Sequence, residues 1–169
     1  RDAGITSAPH PLREALLGIP GYAMALPLLG VGVGLTLLLI LLQGLLAGPA
    51  DPLAPQTPAQ HPVVEMFSNA NLLTLLAVLF VASVAAPVVE EITFRGLLYT
   101  HLRHATHHLG LVASIVLSTG LNSFIFAVIH PQGWVAIPAL MSLAIAFTLA
   151  REWRDSIWPP VVMHAMSNF

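Results

Sequence analysis

Six side chains in this sequence are of types that do chemistry and stand where charge and polarity are out of place. Glu90, Glu91 and Arg95 follow directly on the uncharged run 81–89, His130 closes an apolar stretch four residues after Phe126, and His164 and Asn168 lie in the last apolar segment. An ionisable group within a hydrophobic segment costs on the order of a few kcal/mol and normally faces a cavity or a compensating partner. Glu91 and Arg95 are four apart with the acid first, the favourable order for a helical ion pair, so each neutralises the other. Glu90 points about 100° away from its neighbour and is left to meet residues of other helices, which makes it the candidate base. His164 and Asn168, also four apart, project from one helix face and can act on one substrate group.

A water held between a carboxylate and an imidazole is open to activation as a nucleophile, and a histidine with an asparagine can donate to a developing oxyanion. Glu90 with His130, and His164 with Asn168, therefore supply together what amide hydrolysis needs. The same donors, Glu90, His130 and His164, would alternatively hold a divalent metal such as zinc with one position open for water. Spacing leaves the two open. Each group also has an ordinary explanation: a charged helix end at the membrane boundary, an interfacial histidine, hydrogen-bonding glue between helices. Their joint presence and order favour a site. His101, His104, His107 and His108 include an i, i+4 pair with metal-ligand spacing but read as a solvated face. Trp134, Trp153 and Trp158 read as interfacial anchors, and Asn69, Asn71 and Asn122 as packing hydrogen bonds.

The elements that position these residues are apolar helices. Residues 15–50 carry no charge, more than the ~20 a spanning helix needs, and form an anchor whose spanning part is expected to begin near Pro27. Residues 49–62, rich in Pro, Ala and Gln, read as a loop outside the membrane. A second helix is expected from Met66 through the Glu90 region towards His104, a third over 109–130 ending at Pro131-Gln132-Gly133, and a fourth over 134–150. A charged turn at 151–155 leads into a fifth from Trp158, whose Pro159 and Pro160 are tolerable in a first turn. With a turn near His107 and His108, Glu90 lies ~26 Å before it and His130 ~33 Å after it, so the two can meet. His164 lies only ~9 Å into its helix, which requires the Glu90 helix to protrude past the membrane or the next helix to tilt.

The expected fold is thus an all-α polytopic transmembrane bundle with about five spanning helices. Residues 1–65 supply an anchor and external loop, and residues 66–169 a catalytic membrane core. Of 169 residues, 56% are hydrophobic and 8% charged, against about 25% charged in soluble domains, so lipid must cover part of the surface. A net charge of -2 without a basic cluster argues against a nucleic-acid partner, and the absence of cysteine excludes disulfides and thiolate chemistry. All six positive charges are arginines, sorted onto alternate loops, which predicts a cytoplasmic N-terminus in the cell inner membrane. The chain opens without Met and stops inside an apolar segment, as expected of a piece of a longer protein.

The ordered set Glu90-Glu91-x-x-x-Arg95, Phe126-x-x-x-His130 and His164-x-x-x-Asn168, with Phe94-Arg95-Gly96-Leu97-Leu98 around the first, resembles the CPBP family of intramembrane proteases. That family includes the type II CAAX prenyl endopeptidases and bacterial relatives linked to bacteriocin immunity. The resemblance covers residues 66–169 and implies a membrane endopeptidase acting on a protein or peptide substrate. It assigns water activation to Glu90 and His130 and the oxyanion to His164 and Asn168, and it leaves a metal open. The alternative is a non-catalytic membrane scaffold or immunity factor that keeps the fold.

Overall fold

In lipid every backbone amide must be satisfied internally, and long uncharged segments answer that demand as helices. The computed structural model describes residues 10–46 and 71–168, and within them every regular element is helical. α1 spans Pro11–Leu46, α2 Leu72–Leu109, α3 Leu111–Ile129, α4 Trp134–Arg154 and α5 Trp158–Ser167. The external loop expected at 49–62 and the helix start near Met66 lie outside the described residues.

Three expectations change. Four helices, α1 to α4, are long and apolar enough to cross a membrane, whereas α5 has ten residues, about half a span. The chain is an integral membrane protein with several apolar helices, but the described residues hold four spans and not about five. α1 begins at Pro11 and runs 36 residues through both Pro20 and Pro27, because a membrane helix packed on neighbours tolerates the lost amides. The charged segment 151–155 is mostly the last turn of α4, and the chain reverses only at Asp155, in the left-handed region at φ 50°.

α1 lies along α4 and α5 at close range. A Cβ at Gly18 would stand 2.7 Å from the Pro159 carbonyl oxygen, and one at Gly32 would stand 2.7 Å from the Pro138 oxygen and overlap Ser142, so only glycine permits these crossings. Thr36 accepts from the Ala139 amide at 3.3 Å, satisfying one of the orphan donors at the start of α4. At the other end of α1, Glu14 takes a bidentate pair from Arg154 at 2.6 and 2.8 Å. α3 presents Ser114, Ser118, Thr119, Asn122 and Ser123 to the interior, small polar residues that let helices approach and bond across.

α2 is not uniform. It passes through two π-helical stretches, Val81–Ala85 and Ile92–Leu98, which bracket an α-helical segment, Ala86–Glu91. At 38 residues, roughly 57 Å, it exceeds the ~30 Å hydrocarbon core, the first of the two arrangements that the sequence geometry allowed. The connection to α3 falls at a 3-10 turn, His107–Leu109, followed by Gly110 at φ 87°. There His101, His104, His107 and His108 are exposed, as expected of a solvated face. Asn71 caps the start of α2 by accepting from the Thr74 amide at 2.9 Å.

Candidate active site

The antiparallel packing of α2 and α3 brings Phe94 edge-on to Phe126, ring centres 5.1 Å apart, and so sets Glu90 level with His130, one turn beyond each ring. His130 Nε2 lies 3.6 Å from Glu90 Oε2, and His164 Nε2, arriving from α5, lies 3.7 Å from the same oxygen. Both rings are held from behind. Nδ1 of His130 donates to the Phe126 carbonyl at 2.5 Å, and Nδ1 of His164 donates to Glu91 Oε1 at 2.8 Å. With Nδ1 carrying a proton, each ring turns its Nε2 toward Glu90.

Adjacent glutamates thus have opposite surroundings. Glu90 is 31% exposed, whereas Glu91 and Arg95 are fully buried. Glu91 Oε1 accepts from Arg95 Nη1 at 2.9 Å as well as from His164. Arg95 spends a second nitrogen on the Ala144 carbonyl of α4 at 3.1 Å, and its guanidinium lies 4.7 Å from the Phe126 ring centre and 5.2 Å from that of Phe147. A buried ion pair is costly to desolvate, and these extra bonds and ring faces offset that cost. The Ala144 carbonyl also accepts from Thr148, which in turn accepts from Asn122 at 3.0 Å, so Asn122 is a packing residue as expected. Phe147 stacks on His164 at 5.2 Å and 25°, while Phe126 contacts both His130 and His164.

The structure therefore brings together Glu90, Glu91, Arg95, His130 and His164. Asn168 sits one turn beyond His164, and its Nδ2 donates to the Ala82 carbonyl of α2 at 2.8 Å. One amide hydrogen is committed there and the second remains. Phe147, Ala144 and Thr148 escape sequence reasoning: a backbone acceptor has no residue signature, and an aromatic in an apolar helix is ordinary core. Among the described residues no group of three His, Cys, Asp or Glu side chains is disposed as it stands to hold a metal ion, and Glu90, His130 and His164 are the residues that would hold one and polarise its bound water.

A second polar cluster lies nearer the α2–α3 turn. Arg103 pairs with Glu152 at 3.2 Å and bonds Ser114, Tyr99 donates to Glu152 at 2.9 Å, and Thr106 links Ser114 and Ser118 at 2.8 and 3.0 Å. A cavity of about 190 Å³ opens beside it, lined by Tyr99, Arg103, His104 and Arg151 among others.

Residues 72–169, more than half of the chain, match the family model described as type II CAAX prenyl endopeptidase Rce1-like. The chain belongs to this family. The membrane-embedded CAAX protease MroQ of Staphylococcus aureus (strain USA300) is 30% identical over 90 residues, which are 53% of this chain and 36% of that protein. The chain thus matches little more than a third of the length of that relative. No solved structure shows a significant match to the chain. The matched region contains all six residues singled out from the sequence.

Proposed function

We propose that this protein is an intramembrane endopeptidase that hydrolyses a peptide bond of a membrane-associated, prenylated-type substrate by a glutamate-activated water. The observation that carries the reading is the convergence of Glu90 Oε2 with the Nε2 atoms of His130 and His164 at 3.6 and 3.7 Å in a partly open site. These separations exceed a direct hydrogen bond, and a water lying to one side can donate its two hydrogens to Glu90 and His130 and accept from Nε2–H of His164 when that ring carries both protons.

In this reading Glu90, assisted by His130, takes a proton from the water as its oxygen attacks the scissile carbonyl carbon. The new oxyanion accepts hydrogen bonds from Nε2 of His164, a ring that already carries both protons before the water attacks, and from the second amide hydrogen of Asn168. Collapse breaks the C–N bond, and Glu90 returns the proton to the leaving amine. Glu91 and Arg95 act behind this pair by fixing the ring orientation of His164. Residues 66–169 carry the chemistry, and residues 1–65 supply the anchor helix and external loop. Arg103, Arg151 and Arg154 gather at one end of the bundle with Glu14, Glu152 and Asp155, which supports a cytoplasmic arginine end.

The test is to reconstitute the full chain in phospholipid vesicles with a farnesylated peptide ending in Cys, two aliphatic residues and a final residue, and with the same peptide unprenylated. Mass spectrometry should find a released C-terminal tripeptide from the prenylated peptide. Equal cleavage of both would remove the prenyl requirement. Failure of a folded protein to cleave either would count against the proteolytic reading for this substrate class.

A further inference from the structure

The bond between Asn168 and Ala82 exists because of a proline five residues along. Within the π-helical stretch Val81–Ala85 the backbone pairs in an i to i−5 register: the amide of Ala86 donates to the carbonyl of Val81. The next donor in that register is residue 87, which faces the carbonyl of Ala82. Residue 87 is proline, buried, and has no N–H. The Ala82 carbonyl is thereby left for a donor from outside its own helix, in a segment of apolar residues where lipid offers none. Asn168 Nδ2, arriving from α5, takes that place at 2.8 Å.

We infer that Pro87 is a positioning residue for Asn168. By withholding an amide from Ala82 it keeps one carbonyl of α2 open, and that carbonyl captures one hydrogen of the Asn168 side chain. A planar NH2 group with one hydrogen fixed has the direction of the other fixed as well. The consequence for turnover rests on the proposed role of Asn168 at the oxyanion. The bond itself does not. The same contact docks the end of α5 against α2, four residues before the start of the α-helical segment that bears Glu90 and Glu91, so the carbonyl lies on the helix that carries the base.

The substitution Pro87→Ala tests this, because it returns an N–H to the Ala82 carbonyl and removes the reason for Asn168 to bind there. Thermal unfolding of the full chain in detergent, for the four proteins of a Pro87→Ala and Asn168→Ala cycle, reads the bond without any assay of hydrolysis. Asn168→Ala alone should lower Tm by roughly 2–4 °C, as the loss of one hydrogen bond does in a chain of this size. In the Pro87→Ala background the same change should shift Tm by less than about 1 °C, since the carbonyl is already satisfied. Equal losses in both backgrounds would overturn the inference. On a peptide that the wild type cleaves, Pro87→Ala should lower kcat by roughly 10²-fold with KM unchanged, and Asn168→Ala should add nothing to it. A coupled Tm cycle with unaltered kcat would leave the bond but remove the positioning role, and overturns the inference as stated. Absence of cleavage by the wild type would instead count against the proposed function, with the Tm cycle still deciding whether Pro87 directs Asn168.

Discussion

Two polar clusters are packed between α2, α3 and α4, one of them joined by α5, and they differ in how their atoms are spent. Around Arg103, Tyr99, Thr106, Ser114 and Glu152, donors and acceptors meet at hydrogen-bonding distance, and the cluster ties α2, α3 and α4 together. Around Glu90 the nearest nitrogens stand 3.6 and 3.7 Å away, and Oε2 has no hydrogen bond. A satisfied network in a membrane protein is interhelical glue. A convergent set that stops short of bonding itself is arranged for a third participant. Cavity size alone would mislead, since a cavity of about 270 Å³ lies between α1, α4 and α5, lined by Leu17, Met24, Leu149 and Trp153 among others, and one of about 190 Å³ lies beside the satisfied cluster.

The comparison can be broken first at His130. It lies at a helix end, so His130→Ala should lower Tm by only the roughly 2–4 °C of its one bond to the Phe126 carbonyl, while turnover falls by roughly 10²- to 10⁴-fold, as for loss of an acid–base partner. A fall in Tm with preserved turnover per folded molecule would move His130 to the structural side. At the satisfied cluster the signs reverse. Arg103→Met removes its ion pair with Glu152 and one of the bonds of Ser114, and should cost about 1–3 kcal/mol of stability, with turnover per folded molecule unchanged. Unfolding in denaturant alongside peptide cleavage separates the two. The smallest effect is expected from Tyr99→Phe, which removes one hydroxyl bond to Glu152 and should cost about 1 kcal/mol. If Tyr99→Phe reduces kcat, the cluster is coupled to the site and the division fails.

Much of the site is legible in the sequence because charge inside apolar helices has few uses. Glu90, Glu91, Arg95, His130 and His164 converge as their types and order implied, and the i, i+4 pair of Glu91 and Arg95 forms at 2.9 Å although the π-helical stretch begins between them. Helix count is less legible. The apolar run after Trp158 resembles a span, yet its described helix is ten residues. The prolines of α1 read as a boundary, but packing on α4 and α5 carries the helix through them. The attachment of His164 to Glu91 was hidden as well: sequence pairs Glu91 with Arg95 on one helix and cannot see a third helix reaching the same oxygen. The π register that makes Pro87 matter leaves no trace in composition.

The central claim is that two neighbouring glutamates divide the work, Glu90 reacting and Glu91 holding. It is tested most directly by purifying Glu90→Gln and Glu91→Gln in detergent and measuring, for each, thermal unfolding and cleavage of the same peptide. Glu90→Gln keeps the size of a part-exposed side chain and removes the base, so hydrolysis should vanish with Tm unchanged. Glu91→Gln keeps an oxygen that can accept from Arg95 and His164 but uncompensates a fully buried guanidinium, so stability should fall by about 3–5 kcal/mol while measurable turnover remains. Cleavage by Glu90→Gln together with a stable but inert Glu91→Gln would contradict the assignment.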